Sequence, residues 1–350
     1  MTLPALRQSW PLPSRPRPIV IIGAGGIVQD AHLPAYRQAG FPVLGVHDRD
    51  AARAAALAER WGIGMFATLA EAAAQDAVFD VATPPGAHLD VLRALPAGAT
   101  VLMQKPMGRD LDEASAIRRL CGDKRLIAAV NFQLRFAPMM LALQDAVARG
   151  LLGDIVDVEV HLNLLTPWHL FPFLRGAARV EIAVHSIHYF DLLRALLGNP
   201  SGVQARTLGH PRHDLAQTRT TAMLDTRPGV RCVLSINHDH DFGRQFQDAA
   251  IRVEGTTGAA RVKLGLLLDY PRGEPDELWL TEGGAWQPVP LSGGWFPDAF
   301  IGTMANVQRF AAGEDAALVS AVADAWHTMA LVEACFTAND APATAVQTAP

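Results

Sequence analysis

A single stretch near the N-terminus, residues 18–50, constrains the fold more than any other part of this sequence. The apolar run 19–22 is followed at once by three glycines in four residues. A β-branched run that breaks into glycines predicts a buried strand entering a tight turn, with a helix after it. Such glycines let the backbone approach a pyrophosphate, and the N–H groups and positive dipole end of the helix favour its negative charge. The residues predicted to bind a dinucleotide here are Gly23, Gly25, Gly26 and Ile27.

A second apolar strand, residues 41–47, ends on Asp48 at the spacing of a βαβ unit. The Asp48 carboxylate can accept both hydroxyls of an adenosine ribose and would repel a 2′-phosphate, which favours NAD over NADP. Arg49 can bind that phosphate if Asp48 turns away, so NADP stays open. The third glycine position of the GxGxxG pattern is Val28, which implies looser packing of helix on strand. The order of elements predicts a nucleotide site, with a purely structural glycine turn as the alternative.

Length and composition exclude several classes of protein. At 350 residues, with 50% apolar and 19% charged residues, the chain suits a soluble two-domain enzyme. A net charge of -5 without any basic run argues against a nucleic-acid partner. Cys121, Cys232 and Cys335 are widely spaced and odd in number, which favours a reducing cytoplasm over disulfides. No apolar run is long enough to span a membrane, and the proline-rich segment 1–17 is predicted to be a loose arm.

The next strand, residues 78–82, ends at Thr83, Pro84 and Pro85, because two prolines prevent further ladder bonds. Ligands of open α/β sheets bind at such carboxyl ends, so these three residues are predicted to contact the cofactor. His88 then begins a helix. Its two open roles are contact with the cofactor and a capping or surface position.

A lysine at the same edge of the sheet is a catalytic candidate. The strand 100–103 delivers Gln104, Lys105 and Pro106 to this edge. A lysine between an apolar strand and a proline is held on a short tether and partly desolvated, which lowers its pKa and suits proton exchange with a hydroxyl. A salt bridge is the alternative role for Lys105.

The hydrophobic pattern changes after residue 150. Apolar and polar residues alternate over 155–164, which predicts a long strand with one buried and one polar face. Parallel Rossmann strands do not show this pattern, so a second domain with an antiparallel, one-sided sheet is predicted. The predicted division is a dinucleotide-binding domain over 18–133 and a substrate-binding and oligomerisation domain over 134–345.

Two further segments of the second domain carry candidate residues. The loop 166–173 is rich in aromatics and proline, and Trp168 and His169 are predicted to bind a sugar, unless they anchor the loop in the core. The segment 181–193 has helical spacing that places His185 and His188 on one face.

Histidine chemistry leaves two readings of that helix face open. Imidazole exchanges protons near neutral pH, which suits His188 to acid/base catalysis. Metal binding by His185 and His188 with His238 or His240 is the rival, but no carboxylate or cysteine completes a pattern, so no metal is predicted.

Four features together resemble one family: the glycine turn, Thr83–Pro85 with His88, Lys105–Pro106, and His188–Asp191. They are similar to the Gfo/Idh/MocA family, which includes glucose-fructose oxidoreductase and inositol dehydrogenase. The resemblance runs from about residue 18 to near residue 339. It implies an α/β fold in which a Rossmann-type parallel sheet domain joins an α/β domain with a large, mostly antiparallel, open-faced sheet. It also implies NAD(P)-dependent hydride transfer on sugars, cyclitols or related polyols, and a homodimer or homotetramer paired through the open sheet face.

The resemblance further implies residue roles and two departures. His188 is the expected acid/base beside the nicotinamide, and Lys105 matches the lysine of the family's Glu-Lys-Pro. Gln104 replaces that glutamate; it can hydrogen-bond a ribose but supplies no negative charge. Val184 stands where the family often has an aspartate, and His185 beside it either takes over that role or binds substrate.

Arg135 follows the last Rossmann strand, at the junction of the two domains in the family. It either lines the cleft and binds substrate or forms an ion pair that joins the domains. The two missing acids also leave a second hypothesis for the whole chain, a catalytically silent regulator that binds a dinucleotide and a sugar.

Overall fold

The computed structural model describes residues 3–347. Its first sheet is parallel and buried between helices, so its central strands are apolar on both faces. The six strands are β1 (Ile19–Ile22), β2 (Val43–His47), β3 (Gly64–Met65), β4 (Val78–Val81), β5 (Thr100–Met103) and β6 (Ile127–Val130). Their order, β3-β2-β1-β4-β5-β6, is that of a Rossmann fold, as the sequence predicts.

Five helices accompany this sheet, and side-chain caps define where several of them begin. Asp50, Thr68 and Asp110 each accept a hydrogen bond from a backbone N–H of the first helical turn. One π-helical turn, Val28–His32, leads from the glycine turn into the first helix. The helices are α1 (Leu33–Ala39), α2 (Ala51–Trp61), α3 (Leu69–Ala73), α4 (His88–Ala94) and α5 (Leu111–Asp123).

The second sheet has eight strands and one strongly buried face. Its strands are β7 (Ile155–Asn163), β8 (Gly202–Leu208), β9 (Arg219–Asp225), β10 (Arg231–Asn237), β11 (Asp248–Gly255), β12 (Ala259–Lys263), β13 (Glu277–Thr281) and β14 (Gln287–Val289). The order is β14-β13-β12-β11-β7-β10-β9-β8, antiparallel except for the pair β7 and β10. Val158, Val160 and Leu162 are buried while their neighbours are partly exposed, which confirms the alternating pattern read for β7.

Within residues 3–347, four more helices complete the fold: α6 (Pro138–Ala148), α7 (Ile187–Leu197), α8 (Asp298–Ala311) and α9 (Val322–Asp340). None of the helices within residues 3–347 is long and apolar enough to cross a bilayer. The helix α8 returns to the first sheet, where Phe300 packs in one hydrophobic cluster with Ile19 and Ile21. Residues beyond the predicted division near residue 133 therefore contribute to the core of the first sheet.

The N-terminal segment corrects one expectation, because residues 3–17 are not a loose arm. Leu3 and Leu6 pack against the core. The Trp10 ring lies 5.2 Å from the ring of Phe136, and its Nε1 donates to Asp315 at 2.7 Å. The segment has no regular structure, which the prolines explain, but its side chains dock it on the body of the protein. Residues 1 and 2 of the predicted arm lie outside the described residues.

Candidate active site

The glycine turn after β1 combines one structural glycine with two open ones. Gly23 has φ +111°, and a Cβ there would lie 2.5 Å from the carbonyl oxygen of Ala82 at the end of β4. A Cβ on Gly25 would meet no atom within 4 Å, and one on Gly26 only an Asp30 oxygen at 3.8 Å. Gly23 therefore lets the turn approach β4, while Gly25 and Gly26 leave the open cradle that a pyrophosphate needs.

Asp48 is fixed next to this cradle by backbone hydrogen bonds. Its Oδ2 accepts from Ala24 N at 2.7 Å and its Oδ1 accepts from Asp50 N at 2.8 Å. The side chain is only partly buried, and each carboxylate oxygen keeps a lone pair for a ribose hydroxyl. Arg49 beside it is exposed. These residues fit the adenosine half of a dinucleotide.

His88 is buried, so the capping or surface role considered for it is wrong. Its Nε2 donates to the Thr83 carbonyl oxygen at 3.1 Å, and burial lowers the pKa of the imidazole to about 4. The neutral His88 side chain thus anchors the loop Thr83–Pro85 through its hydrogen bond to Thr83. The Thr83 hydroxyl is buried and has no hydrogen-bond partner among residues 3–347, which leaves it free for a ligand.

Lys105 follows β5 closely and is partly buried. Its Nζ donates to the Val184 carbonyl oxygen at 2.8 Å, and burial lowers the pKa of its ammonium to about 8. Gln104 Oε1 accepts from the Lys105 backbone N–H at 2.8 Å, while Gln104 Nε2 lies 3.2 Å from His32 Nε2. Both ends of the Gln104 amide are therefore engaged within the protein.

The helix that carries the catalytic histidine candidate begins with a π-helical turn, Ile182–Ser186, and continues as α7. Burial and the charge of Lys105 hold the pKa of His188 well below its usual value of 6.5. The pKa of His185 is also held well below this value, by burial first and then by His238, Lys105 and His188. Both imidazoles are neutral at neutral pH. The structure thus brings Lys105, His185 and His188 into one electrostatic cluster.

The loop before this helix contributes one of its two predicted residues to the cluster. The Trp168 ring lies 5.4 Å from His185 and 5.5 Å from His238, and its Nε1 donates to Asp239 at 3.2 Å. His169 is exposed, and no hydrogen bond or ring contact joins it to any described residue. Trp168 therefore lines the cluster, whereas the structure does not bring His169 to it.

Arg135 forms the ion pair that was its alternative role. Its Nε donates to Asp191 Oδ2 at 2.5 Å, and its Nη2 donates to Asp191 Oδ1 at 2.6 Å and to Asp324 at 2.9 Å. The guanidinium is buried against these two carboxylates. The expectation that Arg135 binds substrate is therefore wrong.

One set of side chains within the described part of the chain has the spacing of metal ligands, His210, His213 and Asp239, with ligand atoms within 4.8 Å of one another. It does not include His185 or His188. The Asp239 carboxylate already accepts from Trp168 and Thr218 and lies 3.0 Å from His213 Nε2. Hydrogen bonds within the protein thus account for this arrangement.

The sequence does not predict a buried group of polar side chains that is linked to Lys105 through Gln104. His32, Tyr36 and Asp80 are fully buried and hydrogen-bonded to one another through the Asp80 carboxylate. The available signal was Asp80 itself, an acid within the otherwise apolar strand β4.

A Rossmann sheet with an open glycine cradle, next to a π-helical turn and helix α7 that bring two histidines to a partly buried lysine, fits a dinucleotide-dependent oxidoreductase. Residues 17–132 match the model of an oxidoreductase family with an NAD-binding Rossmann fold, GFO_IDH_MocA. Residues 140–261 match the C-terminal domain of the same family. The chain belongs to the GFO/IDH/MocA oxidoreductase family.

Relatives with known names are similar over most of the chain. It is 30% identical over 254 residues to inositol 2-dehydrogenase of Leifsonia xyli subsp. xyli, which covers 68% of this chain and 72% of that protein. It is 26% identical over 273 residues to D-xylose 1-dehydrogenase (NADP(+)) 2 of Haloferax volcanii, covering 75% and 80%. An oxidoreductase from Agrobacterium radiobacter, solved with NAD+, L-tartaric acid and magnesium, superposes with a TM-score of 0.76 at 21% identity, covering 93% and 96%.

Proposed function

We propose that this protein transfers a hydride between the nicotinamide of NAD(P) and a secondary alcohol or hemiacetal carbon of a sugar, cyclitol or related polyol. The observation that carries the proposal is the cluster in which Lys105, fixed by its 2.8 Å hydrogen bond to Val184, faces the neutral imidazoles of His185 and His188. Relatives named as inositol and xylose dehydrogenases support this substrate class.

His188 and Lys105 have different roles in the proton transfer of this reaction. His188 is neutral at pH 7, so it can accept the proton of the substrate hydroxyl. With a pKa of about 8, Lys105 is mostly protonated at pH 7 and can donate a hydrogen bond to the same oxygen, which stabilises its developing negative charge. The bound nicotinamide supplies the hydride acceptor. Trp168 offers an apolar surface for the substrate, and His185 a polar contact.

NAD is the proposed cofactor in preference to NADP. The Asp48 carboxylate, held by Ala24 N and Asp50 N, puts negative charge beside the glycine turn, and such a charge would repel the 2′-phosphate of NADP. Fluorescence titration should give a lower Kd for NAD than for NADP, and Asp48→Asn should reduce the difference between the two Kd values. A lower Kd for NADP in the unaltered protein would contradict the preference.

The second candidate function is a silent regulator that binds the same ligands. Gln104 and Val184 favour it, because both are uncharged where acids were expected. We would follow cofactor reduction by absorbance with NAD and NADP against aldoses, inositols and sugar acids, in the unaltered protein and in His188→Ala. Turnover that disappears in the variant supports the dehydrogenase. Tight cofactor binding without turnover of any compound supports the regulator.

We further propose a homodimer or homotetramer paired through the outer face of the second sheet. Ion pairs between neighbouring strands, Arg231 with Asp157 and Arg252 with Glu159, lie on that face, and Met223 exposes apolar surface in the same row of side chains. Light scattering should show a dimer or larger, and Arg231→Glu with Arg252→Glu should dissociate it. A monomeric unaltered protein would contradict the proposal.

A further inference from the structure

An aspartate lies at the centre of the parallel sheet, where charge is expensive. Asp80 on β4 is fully buried. Its Oδ2 accepts a hydrogen bond from the Tyr36 hydroxyl at 2.8 Å and lies 2.6 Å from His32 Nδ1, while its Oδ1 has no partner among residues 3–347. Burying an incompletely paired carboxylate costs stability, so its presence calls for a role other than stabilisation.

The protons of this group can be assigned step by step from one fixed donor. The Lys105 backbone N–H can only donate, so the Gln104 atom 2.8 Å away must be the carbonyl oxygen Oε1. The amide NH2 of Gln104 then faces His32 Nε2 at 3.2 Å, which makes that nitrogen an acceptor. A neutral imidazole with an accepting Nε2 carries its proton on Nδ1. Asp80 is the group that receives this Nδ1–H.

We infer that Asp80 and His32 are positioning residues that hold the Lys105 backbone through Gln104. The inference rests on the proposed function of Lys105. Asp80 fixes the tautomer of His32, the tautomer fixes the orientation of the Gln104 amide, and the amide oxygen holds Lys105 N. This series of hydrogen bonds joins the carboxyl ends of β4 and β5, where Lys105 must be held still relative to His188.

The same reasoning explains why Gln104 requires this support. A carboxylate at position 104 would accept from Lys105 N in either orientation, because both of its oxygens are acceptors, and it would accept from His32 whenever Nε2 carries a proton. An amide has one acceptor and one donor end, so it is held only when His32 presents an accepting nitrogen. Asn131 Nδ2 also lies 3.5 Å from this His32 nitrogen, whose single lone pair already faces the Gln104 amide.

The tautomer can be tested directly by nitrogen-15 NMR of the histidine rings, with the His32 signals identified by their loss in His32→Gln. We expect His32 as a neutral imidazole protonated on Nδ1. A proton on Nε2, or on both nitrogens, would overturn the inference. This measurement does not depend on turnover, so it also separates failure of the inference from failure of the proposed function.

Kinetics test whether the arrangement acts on Lys105. Asp80→Leu removes the acceptor and should lower kcat about tenfold or more while leaving the cofactor Kd within about threefold. Tyr36→Phe is the matched control, since it deletes the other hydrogen bond to the same carboxylate oxygen and should leave kcat within about twofold. Equal losses of kcat in the two variants would show a merely structural role.

A rescue experiment sharpens this test. Adding Gln104→Glu to Asp80→Leu should restore kcat to within about threefold of Gln104→Glu alone, because without Asp80 the His32 imidazole can carry its proton on Nε2 and donate it to the new carboxylate. Failure of the rescue in a folded double variant would overturn the inference. If Asp80→Leu does not fold, Asp80→Asn takes its place: its carbonyl still accepts from His32, so kcat and the Nδ1–H signal should both persist, and loss of either in the folded variant would contradict the inference.

Discussion

Replacing Lys105 should make the protein more stable while removing its activity. Burial lowers the pKa of this ammonium from 10.5 to about 8, a difference that corresponds to at most about 3 kcal/mol. At pH 7 the lysine is charged both in the folded and in the unfolded chain, so folding carries the full cost of burying the charge. Lys105→Met keeps the length of the side chain without the charge. We expect it to raise the free energy of unfolding by about 1–3 kcal/mol at pH 7.

The difference in free energy of unfolding between Lys105→Met and the unaltered protein should depend on pH. The unfolded chain binds more protons at Lys105 than the folded chain between about pH 8 and 10.5, so the lysine costs less stability as pH rises through that window. Urea unfolding of both proteins should therefore show the advantage of Lys105→Met shrinking by about 2 kcal/mol between about pH 7 and pH 9.5. A variant that is less stable at pH 7, or an advantage that does not change with pH, would refute the reasoning.

Two further predictions concern residues whose roles the structure separates. Arg135→Leu should lower the free energy of unfolding by about 3–5 kcal/mol, because it removes the bidentate partner of buried Asp191 and leaves this carboxylate only Thr328 and Arg194, whose Nη1 lies 3.9 Å away, while the KM of substrate changes less than about twofold. Urea unfolding and steady-state kinetics check this, and a raised KM at unchanged stability would contradict it. Gly25→Ala should weaken cofactor binding about tenfold in a fluorescence titration without lowering Tm. Gly23→Ala, its matched control, should lower Tm because its Cβ would collide with Ala82. Equal Tm values for the two variants would contradict the assignment of a structural role to Gly23 and a binding role to Gly25.

The features that the sequence predicts well are those written in short, local patterns. The strand 19–22, the glycines after it and Asp48 follow one another within a single βαβ unit, so the Rossmann sheet could be derived without knowing distant contacts. The alternation over β7 likewise shows which face is buried. The placement of Lys105, His185 and His188 together rested on the family resemblance, since 80 residues or more separate the lysine from the histidines.

The features that the sequence does not predict depend on contacts between distant segments. Arg135 meets Asp324 across 189 residues, and nothing near either residue marks them as partners. Trp10 docks on a loop 305 residues away, which a proline-rich composition cannot reveal. Asp80 gave a signal, a charge within an apolar strand, but its partners His32 and Tyr36 come from a different element. Tertiary packing, rather than local propensity, decides each of these.

The central claim is that His188 moves the substrate proton during hydride transfer, and single-turnover kinetics test it most directly. Purified protein saturated with NAD is mixed rapidly with the best substrate, and formation of the reduced nicotinamide is followed by absorbance. We predict that His188→Ala slows this step about 100-fold or more and leaves the Kd of NAD within about threefold. A single-turnover rate in His188→Ala equal to that of the unaltered protein would contradict the account.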